Sequence, residues 1–121
     1  MKLLSPSLPK NLSPAPDFST RAAQSVENQE PLSDLLVEHA LLTGADLSGL
    51  TLEGVRFQGC RFLECDCSRW EMTDVAFQDC DLSGSTFADG IWCRVALEDC
   101  RALGTAFQQC GFQHVSFRGC K

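Results

Sequence analysis

Apolar residues recur at every fifth position from Leu42 to Phe117 without a break in register. A second, mostly small series begins at Ala40 and stands two residues before each member of the first. Two inward residues with one outward residue between them indicate an extended segment, because side chains alternate across a strand. The next inward pair begins three residues later, so the chain turns a corner between pairs. A helix does not fit, because steps of two and three scatter these positions around its axis.

In the small series, the same residue type recurs every twenty residues. Twenty residues are four units of five, so one coil has four sides. One column holds only valine and another holds only cysteine. These columns are Val55, Val75, Val95 and Val115, and Cys60, Cys80, Cys100 and Cys120. In a third column Trp70 stands one coil from Gly90, so a bulky residue is offset by a missing side chain, as close packing requires. The pattern predicts about four square coils of twenty residues.

Glycine and aspartate occupy the predicted corners, where the chain must bend sharply. The units Ala45-Asp46-Leu47-Ser48-Gly49 and Cys80-Asp81-Leu82-Ser83-Gly84 resemble the pentapeptide-repeat family, whose unit is approximately Ala-(Asp/Asn)-Leu-x-x. The resemblance covers residues 40–121 and implies an all-β fold, the family's right-handed quadrilateral β-helix. These repeats favour Phe and Cys over Leu and Ala and contain no Asn, so no subfamily function is transferred.

Proline and glycine divide the chain into segments. All five prolines lie within the first 31 residues, and all nine glycines lie from Gly44 onward. The proline-rich part predicts a disordered leader over residues 1–30. Apolar residues with helical spacing follow Pro31 and predict a short capping helix over residues 31–39. The β-helix then occupies residues 40–121.

The eight cysteines favour a buried, reduced core over disulfides or a metal site, although both alternatives stay open. Six lie in the small inward series, Cys67 lies in the large inward series, and only Cys93 points outward. A free cysteine packs as a small apolar residue. The cysteine column extends over roughly 14 Å at ~4.8 Å per coil, too far for one ion with bonds of ~2.3 Å. Free thiols are typical of a reducing compartment, so a cytoplasmic location is expected.

No residue pattern indicates catalysis. The inward hydroxyls Ser85 and Thr105 are isolated from His39 and His114, so no nucleophilic pair is expected. There is no phosphate-binding loop, and we predict neither an enzyme nor a bound cofactor or metal. The sequence has no apolar window of ~18 residues and no signal-peptide core of ~7–15, so no membrane association is expected.

The outward surface is therefore where a function is expected, and the first hypothesis is a protein-binding or scaffold module. It offers two weak candidate partner surfaces, an acidic strip and an apolar column. Their residues are Asp74, Asp79, Glu98 and Asp99, and Leu63 and Leu103, respectively.

The family resemblance supplies a second hypothesis, because some pentapeptide-repeat proteins imitate DNA and modulate DNA gyrase. DNA carries about one charge per ~1.7 Å, so a rod of roughly 20 Å would need about twelve negative charges. Residues 40–121 contain eleven acids and seven bases, a net charge of −4. Gyrase modulation therefore remains the alternative, and nucleic-acid binding is not expected. A secreted bacterial effector is a third interpretation, based on the leader's serines and prolines.

The last coil predicts a site of self-association. Phe107, Phe112 and Phe117 would lie at an open end together with unpaired strand backbone. Exposed edges of this kind recruit another chain unless they are covered. The chain is expected to be either part of a longer solenoid or an end-to-end homodimer.

Overall fold

The computed structural model describes residues 4–121. It contains one helix, α1 (Phe18–Asn28), and short parallel strands. The strands are β1 (Ser13–Pro14), β2 (Leu32–Ser33), β3 (Leu35–Glu38), β4 (Leu41–Thr43), β5 (Thr51–Glu53), β6 (Arg56–Gln58), β7 (Arg61–Leu63), β8 (Glu71–Gln78), β9 (Thr86–Ala88), β10 (Ile91–Glu98), β11 (Ala106–Gln108) and β12 (Gly111–Arg118). No helix in this part of the chain is long and apolar enough to cross a membrane.

The strands stack into four faces, because each residue pairs with the one twenty positions later. Face 1 contains β2, β5 and the first halves of β8, β10 and β12, and face 2 contains β3, β6 and their second halves. Face 3 contains β4 and β7, and face 4 contains β9 and β11. Isolated bridges extend face 3 through Arg61, Asp81 and Arg101. The predicted quadrilateral β-helix is confirmed, with four coils over residues 31–110 and a partial fifth coil over 111–121.

The corners share one backbone geometry. Every fifth residue from Asp34 to Gly119 has a φ angle between 53° and 83°, a left-handed conformation that costs little only for glycine. Many of these corners nevertheless carry a side chain, including Asp79 and Asp99. Backbone bonds between coils hold them in place: the Asp79 amide donates to the Glu98 carbonyl at 3.0 Å. The predicted role of aspartate as a corner residue is confirmed.

Both inward series fill a continuous core along the rod. Aromatic rings stack from coil to coil, with centroids 4.7 Å apart for Phe57 and Phe77 and 5.6 Å apart for Phe87 and Phe107. Stacked rings within this distance range add to the energy of apolar burial. Because side chains of successive coils pack against each other, the stability of each coil depends on the coils next to it.

The solenoid begins earlier than predicted, and the prediction of a capping helix over residues 31–39 is wrong. That segment forms β2 and β3 of the first coil. Leu32 and Val37 are in the five-residue register, and Asp34 and His39 are corners with positive φ. The helical spacing was misleading because it mixes two kinds of position: Leu32 and Leu35 face inward in the register, whereas Leu36 is an outward strand residue and His39 is a corner.

The cap is instead α1, which lies within the predicted disordered leader. Phe18 and Ala22 are buried on its inner side, and the Phe18 ring lies 5.4 Å from that of Phe57 and 5.9 Å from that of Phe62. Upstream of the helix, the Ser13 amide donates to the Asp34 carbonyl at 2.9 Å. Disorder over residues 1–30 is therefore wrong for residues 4–30; residues 1–3 lie outside the described part of the chain.

Candidate protein-binding surface

The structure divides the predicted acidic strip. Asp74 lies on the corner between faces 1 and 2, and Arg94 donates to its carboxylate through Nε (2.6 Å) and Nη2 (3.0 Å). The Ser7 amide donates to the same carboxylate at 2.9 Å. The hydrogen bonds from Arg94, followed by that from Ser7, lower the pKa of Asp74. This carboxylate is neutralised and covered, so Asp74 does not belong with the other three acids.

The remaining acids stay together. Asp79 and Asp99 occupy successive coils on the corner between faces 2 and 3, and both are exposed. Glu98 is exposed immediately before this corner, and Arg118 is its strand partner in the next coil. The strip therefore consists of three carboxylates with one basic neighbour.

Face 3 begins at this corner and carries the predicted apolar column. Leu103 is 60% exposed, and Leu63 is half-buried in the same column two coils away. Leu41 is 62% exposed on the neighbouring column of the same face. Sequence analysis missed Leu41 because it fell at the assumed start of the solenoid, although its five-residue phase already placed it outward.

The two predicted surfaces thus lie side by side. We define the face 3 surface as Leu41, Leu63, Leu103, Asp79 and Asp99. Between these residues lie the charges of Arg61, Asp81 and Arg101, which alternate along one column. Alternating charges around separated leucines give a surface that is neither strongly charged nor continuously apolar.

The cysteines line the interior as the register predicts, and all eight are free. Thiols of the small inward series donate hydrogen bonds to backbone carbonyls of the preceding coil. The Cys60 thiol, for example, donates to the Val37 carbonyl oxygen at 3.3 Å. Burial raises the pKa of the Cys67 thiol. Contacts with the thiols of Cys100 and Cys60, together with burial, raise the pKa of Cys80.

Three thiols are half-buried rather than the single one expected. They are Cys93, Cys110 and Cys120. Cys110 and Cys120 belong to the inward series, but no further coil of the 121-residue chain covers them. Cys93 lies 3.6 Å from Nη1 of Arg94.

Groups suited to catalysis are engaged in the coil or kept apart. Ser85 Oγ donates to the Phe62 carbonyl at 2.5 Å, and Thr105 Oγ1 donates to the Leu82 carbonyl at 2.7 Å. Nδ1 of His114 accepts a bond from a leader amide. Among residues 4–121, no three His, Cys, Asp or Glu side chains are grouped so as to hold a metal ion.

The C-terminal coil presents an aromatic platform. Phe112 is 44% exposed and Phe117 is 45% exposed, whereas Phe107 is half-buried beneath them. The ring centroids of Phe112 and Phe117 are 6.3 Å apart. These are the three residues predicted for self-association.

Comparison with known proteins finds the same repeat. A model of pentapeptide repeats in eight copies matches residues 37–59, and a model of a pentapeptide repeat region matches residues 70–121. No curated protein matches the chain.

Two solved structures are similar. QnrB1, a plasmid-mediated fluoroquinolone resistance protein, is 28% identical with a TM-score of 0.65. That match covers 70% of this chain and 44% of QnrB1, so the chain spans less than half of QnrB1. The pentapeptide repeat protein Rfr23 from the cyanobacterium Cyanothece 51142 is 10% identical with a TM-score of 0.55, over 85% of this chain and 94% of that one, and it supports the fold alone. With its five-residue register, four-faced coil and matched repeats, this chain belongs to the pentapeptide-repeat family.

Proposed function

We propose that this chain is a non-enzymatic protein-binding module that recognises a folded partner through the face 3 surface. The observation that supports this best is the exposure of Leu41 and Leu103 on one face, which begins at the corner of Asp79 and Asp99. Apolar side chains that are removed from water on association supply affinity, and flanking charges supply orientation and specificity. The rigid rod loses little conformational freedom on binding.

The other sides are less suited to a folded partner. Helix α1 covers the first coil, and the leader crosses face 2. Face 4 exposes Asp46, Asp66 and Gln108 but no large apolar side chain, and face 1 has one strongly exposed apolar side chain, Ile91. Face 3 alone combines two exposed leucines with a neighbouring acidic corner among the described residues.

Site-specific crosslinking tests this proposal. A photoreactive residue at position 103 should yield a discrete protein adduct in the native host, whereas one at position 108 on face 4 of the same coil should not. With the partner purified, Leu103→Asp should weaken binding at least tenfold (about 1.4 kcal/mol), and the matched Gln108→Asp variant should bind normally. Equal adducts from both positions, or equal affinities of both variants, would contradict recognition through face 3.

A DNA-mimicking modulator of DNA gyrase is the second candidate. The similarity to QnrB1 favours it, whereas the net charge of −4 over residues 40–121 is well below the roughly twelve negative charges expected of such a rod. A supercoiling assay with purified gyrase separates the two candidates. We expect no inhibition or quinolone protection at micromolar protein; an effect that is lost on replacing Asp79 and Asp99 with Ala would establish gyrase as the partner.

We further propose that two copies of the 121-residue chain associate end to end through Phe107, Phe112 and Phe117. The exposed rings of Phe112 and Phe117 belong to β12, whose outer backbone edge has no strand partner among the described residues, and Phe107 lies half-buried beneath them. Sedimentation at several concentrations should show a dimer, and Phe117→Lys should shift it toward monomer. A wild-type chain that stays monomeric at high concentration would refute this association.

The protein is proposed to work in the cytoplasm, where a reducing environment keeps cysteines as thiols. All eight cysteines are free, and five are buried in the core. Fractionation of the native host should recover the chain with the cytosolic proteins in its fully reduced form. Recovery outside the cell with intact disulfides would contradict this location.

A further inference from the structure

The leader follows the rod axis across the corner between faces 1 and 2. Its contacts fall on the fifth, third and second coils in turn. They join the Leu4 amide to Nδ1 of His114 (3.1 Å), the Ser7 amide to Oδ1 of Asp74 (2.9 Å), and Pro9 to the site of Gly54, where an added Cβ would lie 3.4 Å from Pro9 Cδ. Residues 4–9, which we call the strap, therefore cross the coils instead of continuing them.

The strap is loosely seated. Beneath it, face 2 presents a row of small outward residues, Ala76, Ala96 and Ser116, which we call the face 2 groove. A cavity of about 370 Å³ lies between this groove and the strap, lined on the strap side by Leu4 and Leu8 among others. Leu4 remains 52% exposed. Close packing stabilises a segment, so the open space indicates that the strap separates from the groove at small cost.

The downstream end of the leader is fixed, in contrast to the strap. The Ser13 and Ala15 amides donate to the carbonyls of Asp34 and Leu36, each at 2.9 Å, and Ala15 is buried. Residues 10–12 join this fixed point to the strap. The leader therefore has a fixed downstream end and a less tightly packed upstream end.

The strap itself, residues 4–9, is uncharged, and the surface beneath it carries both signs of charge. From Leu4 to Pro16 the leader contains one charged residue, Lys10, and no acid. The corner below contains the carboxylates of Asp34, Glu53 and Asp74, which line a cavity together with Ser7 and Pro9, and Arg94 neutralises Asp74. The groove is lined by Arg56, Glu98 and Arg118. A peptide that replaced the strap would therefore gain little from net charge and would be held by apolar contacts and backbone amides.

We propose that the face 2 groove is a docking site for an extended, proline-containing peptide with apolar side chains, and that the strap occupies it until such a peptide displaces it. The peptide presents two backbone amides to His114 Nδ1 and Asp74 Oδ1 and lays apolar side chains over Ala76 and Ala96. A tethered strap competes at high effective concentration. The intact chain therefore binds the peptide weakly, and a chain with its strap displaced binds it more tightly.

A labelled peptide with the sequence of residues 4–12, LSPSLPKNL, is the probe. Its binding is measured by fluorescence anisotropy against the full wild-type chain and a full-length variant with Leu4→Asp and Leu8→Asp. The peptide should bind the variant at least tenfold more tightly than the wild type. Adding Asp74→Ala to the variant should weaken this binding at least tenfold, and a peptide with both leucines replaced by aspartate should not bind.

Hydrogen exchange checks the displacement directly. The amides of Ser5, Ser7 and Leu8 should exchange at least tenfold faster in the Leu4→Asp, Leu8→Asp variant than in the wild type, while β8 and β10 exchange as before. Equal peptide affinities for wild type and variant, absence of binding to the variant, or unchanged exchange at Ser5, Ser7 and Leu8 would each overturn the proposal. The readouts concern face 2, so they are independent of recognition through face 3.

Discussion

At the residue scale, the fit between successive coils depends on small side chains placed against large ones. Gly90 lies one coil after Trp70 in the same column and two residues before Trp92. A Cβ at Gly90 would lie 2.8 Å from the Trp70 carbonyl oxygen and 3.1 Å from Trp92 Nε1. The sequence predicted this compensation correctly in kind, although the close contact is to a Trp70 backbone atom rather than to its ring.

Gly90→Ala should destabilise the fold by about 1–3 kcal/mol, because overpacking forces the surrounding atoms apart. Gly111→Ala is the matched control, since its added Cβ would have 4.0 Å to the nearest atom, the Gly90 carbonyl oxygen. Urea denaturation gives both free energies of unfolding. If both variants lost the same stability, the tight contact at Gly90 would not exist.

Thiol reactivity should follow burial rather than sequence position. Cys93, Cys110 and Cys120 should react with a small alkylating reagent in the native protein, because they are half-buried. The other five thiols should react only on unfolding, since the core shields them from the reagent. Mass spectrometry of native and denatured samples checks this. Native labelling of Cys67 at a rate similar to that of Cys93 would contradict the register.

At the element scale, the coil follows from the sequence but its cap does not. Five-residue periodicity determines which side chains face inward and where corners lie, because one short strand and one corner consume five residues. Helix α1 has no such constraint: it is positioned by the tertiary contacts of Phe18 with Phe57 and Phe62. Its proline-rich surroundings indicated disorder, and no local signal reports a contact made across 39 residues.

Phe18→Ala should cost about 3–5 kcal/mol, the usual range for a buried aromatic residue, because Phe18 is 1% exposed against the first coils. Val26→Ala on the same helix is the control, and it should cost about 0.5 kcal/mol because Val26 is 43% exposed. Equilibrium unfolding compares the two variants. Equal losses would mean that α1 does not cap the solenoid.

The corner ion pair predicts a dependence of stability on pH. The pKa of Asp74 is lowered by Arg94 and then by the Ser7 amide, so its contribution is present above the unfolded pKa of about 4. That contribution is lost as pH falls through the lowered folded-state pKa. Asp74→Asn should therefore cost about 1 kcal/mol or less at pH 7, and its difference in melting temperature from wild type should shrink below pH ~4. A difference that persists at pH 2 would argue against the ion pair.

At the scale of the whole molecule, the four faces of the rod differ in what covers them and in which side chains they expose. The repeat predicts which residues point outward, so the candidate residues could be found from the sequence. It does not predict which of these residues share one surface. Asp74 is only five residues from Asp79, yet face 2 separates their two corners, and Arg94 neutralises the first. Leu103 and Asp99 belong to one surface because face 3 begins at the acidic corner and Leu103 lies on that face. Coverage of face 2 by the strap depends on contacts between residues up to 110 positions apart, which periodicity does not report.

Hydrogen exchange of the complex with the crosslinked partner tests the central claim, that face 3 is the recognition surface. Binding should slow exchange in β4, β7 and the segments around Asp81 and Arg101, and it should leave β9 and β11 on face 4 unchanged. Leu103→Asp should abolish this protection at a partner concentration that saturates the wild type. Protection confined to face 1 or face 4, with face 3 exchanging as in the free chain, would contradict the account.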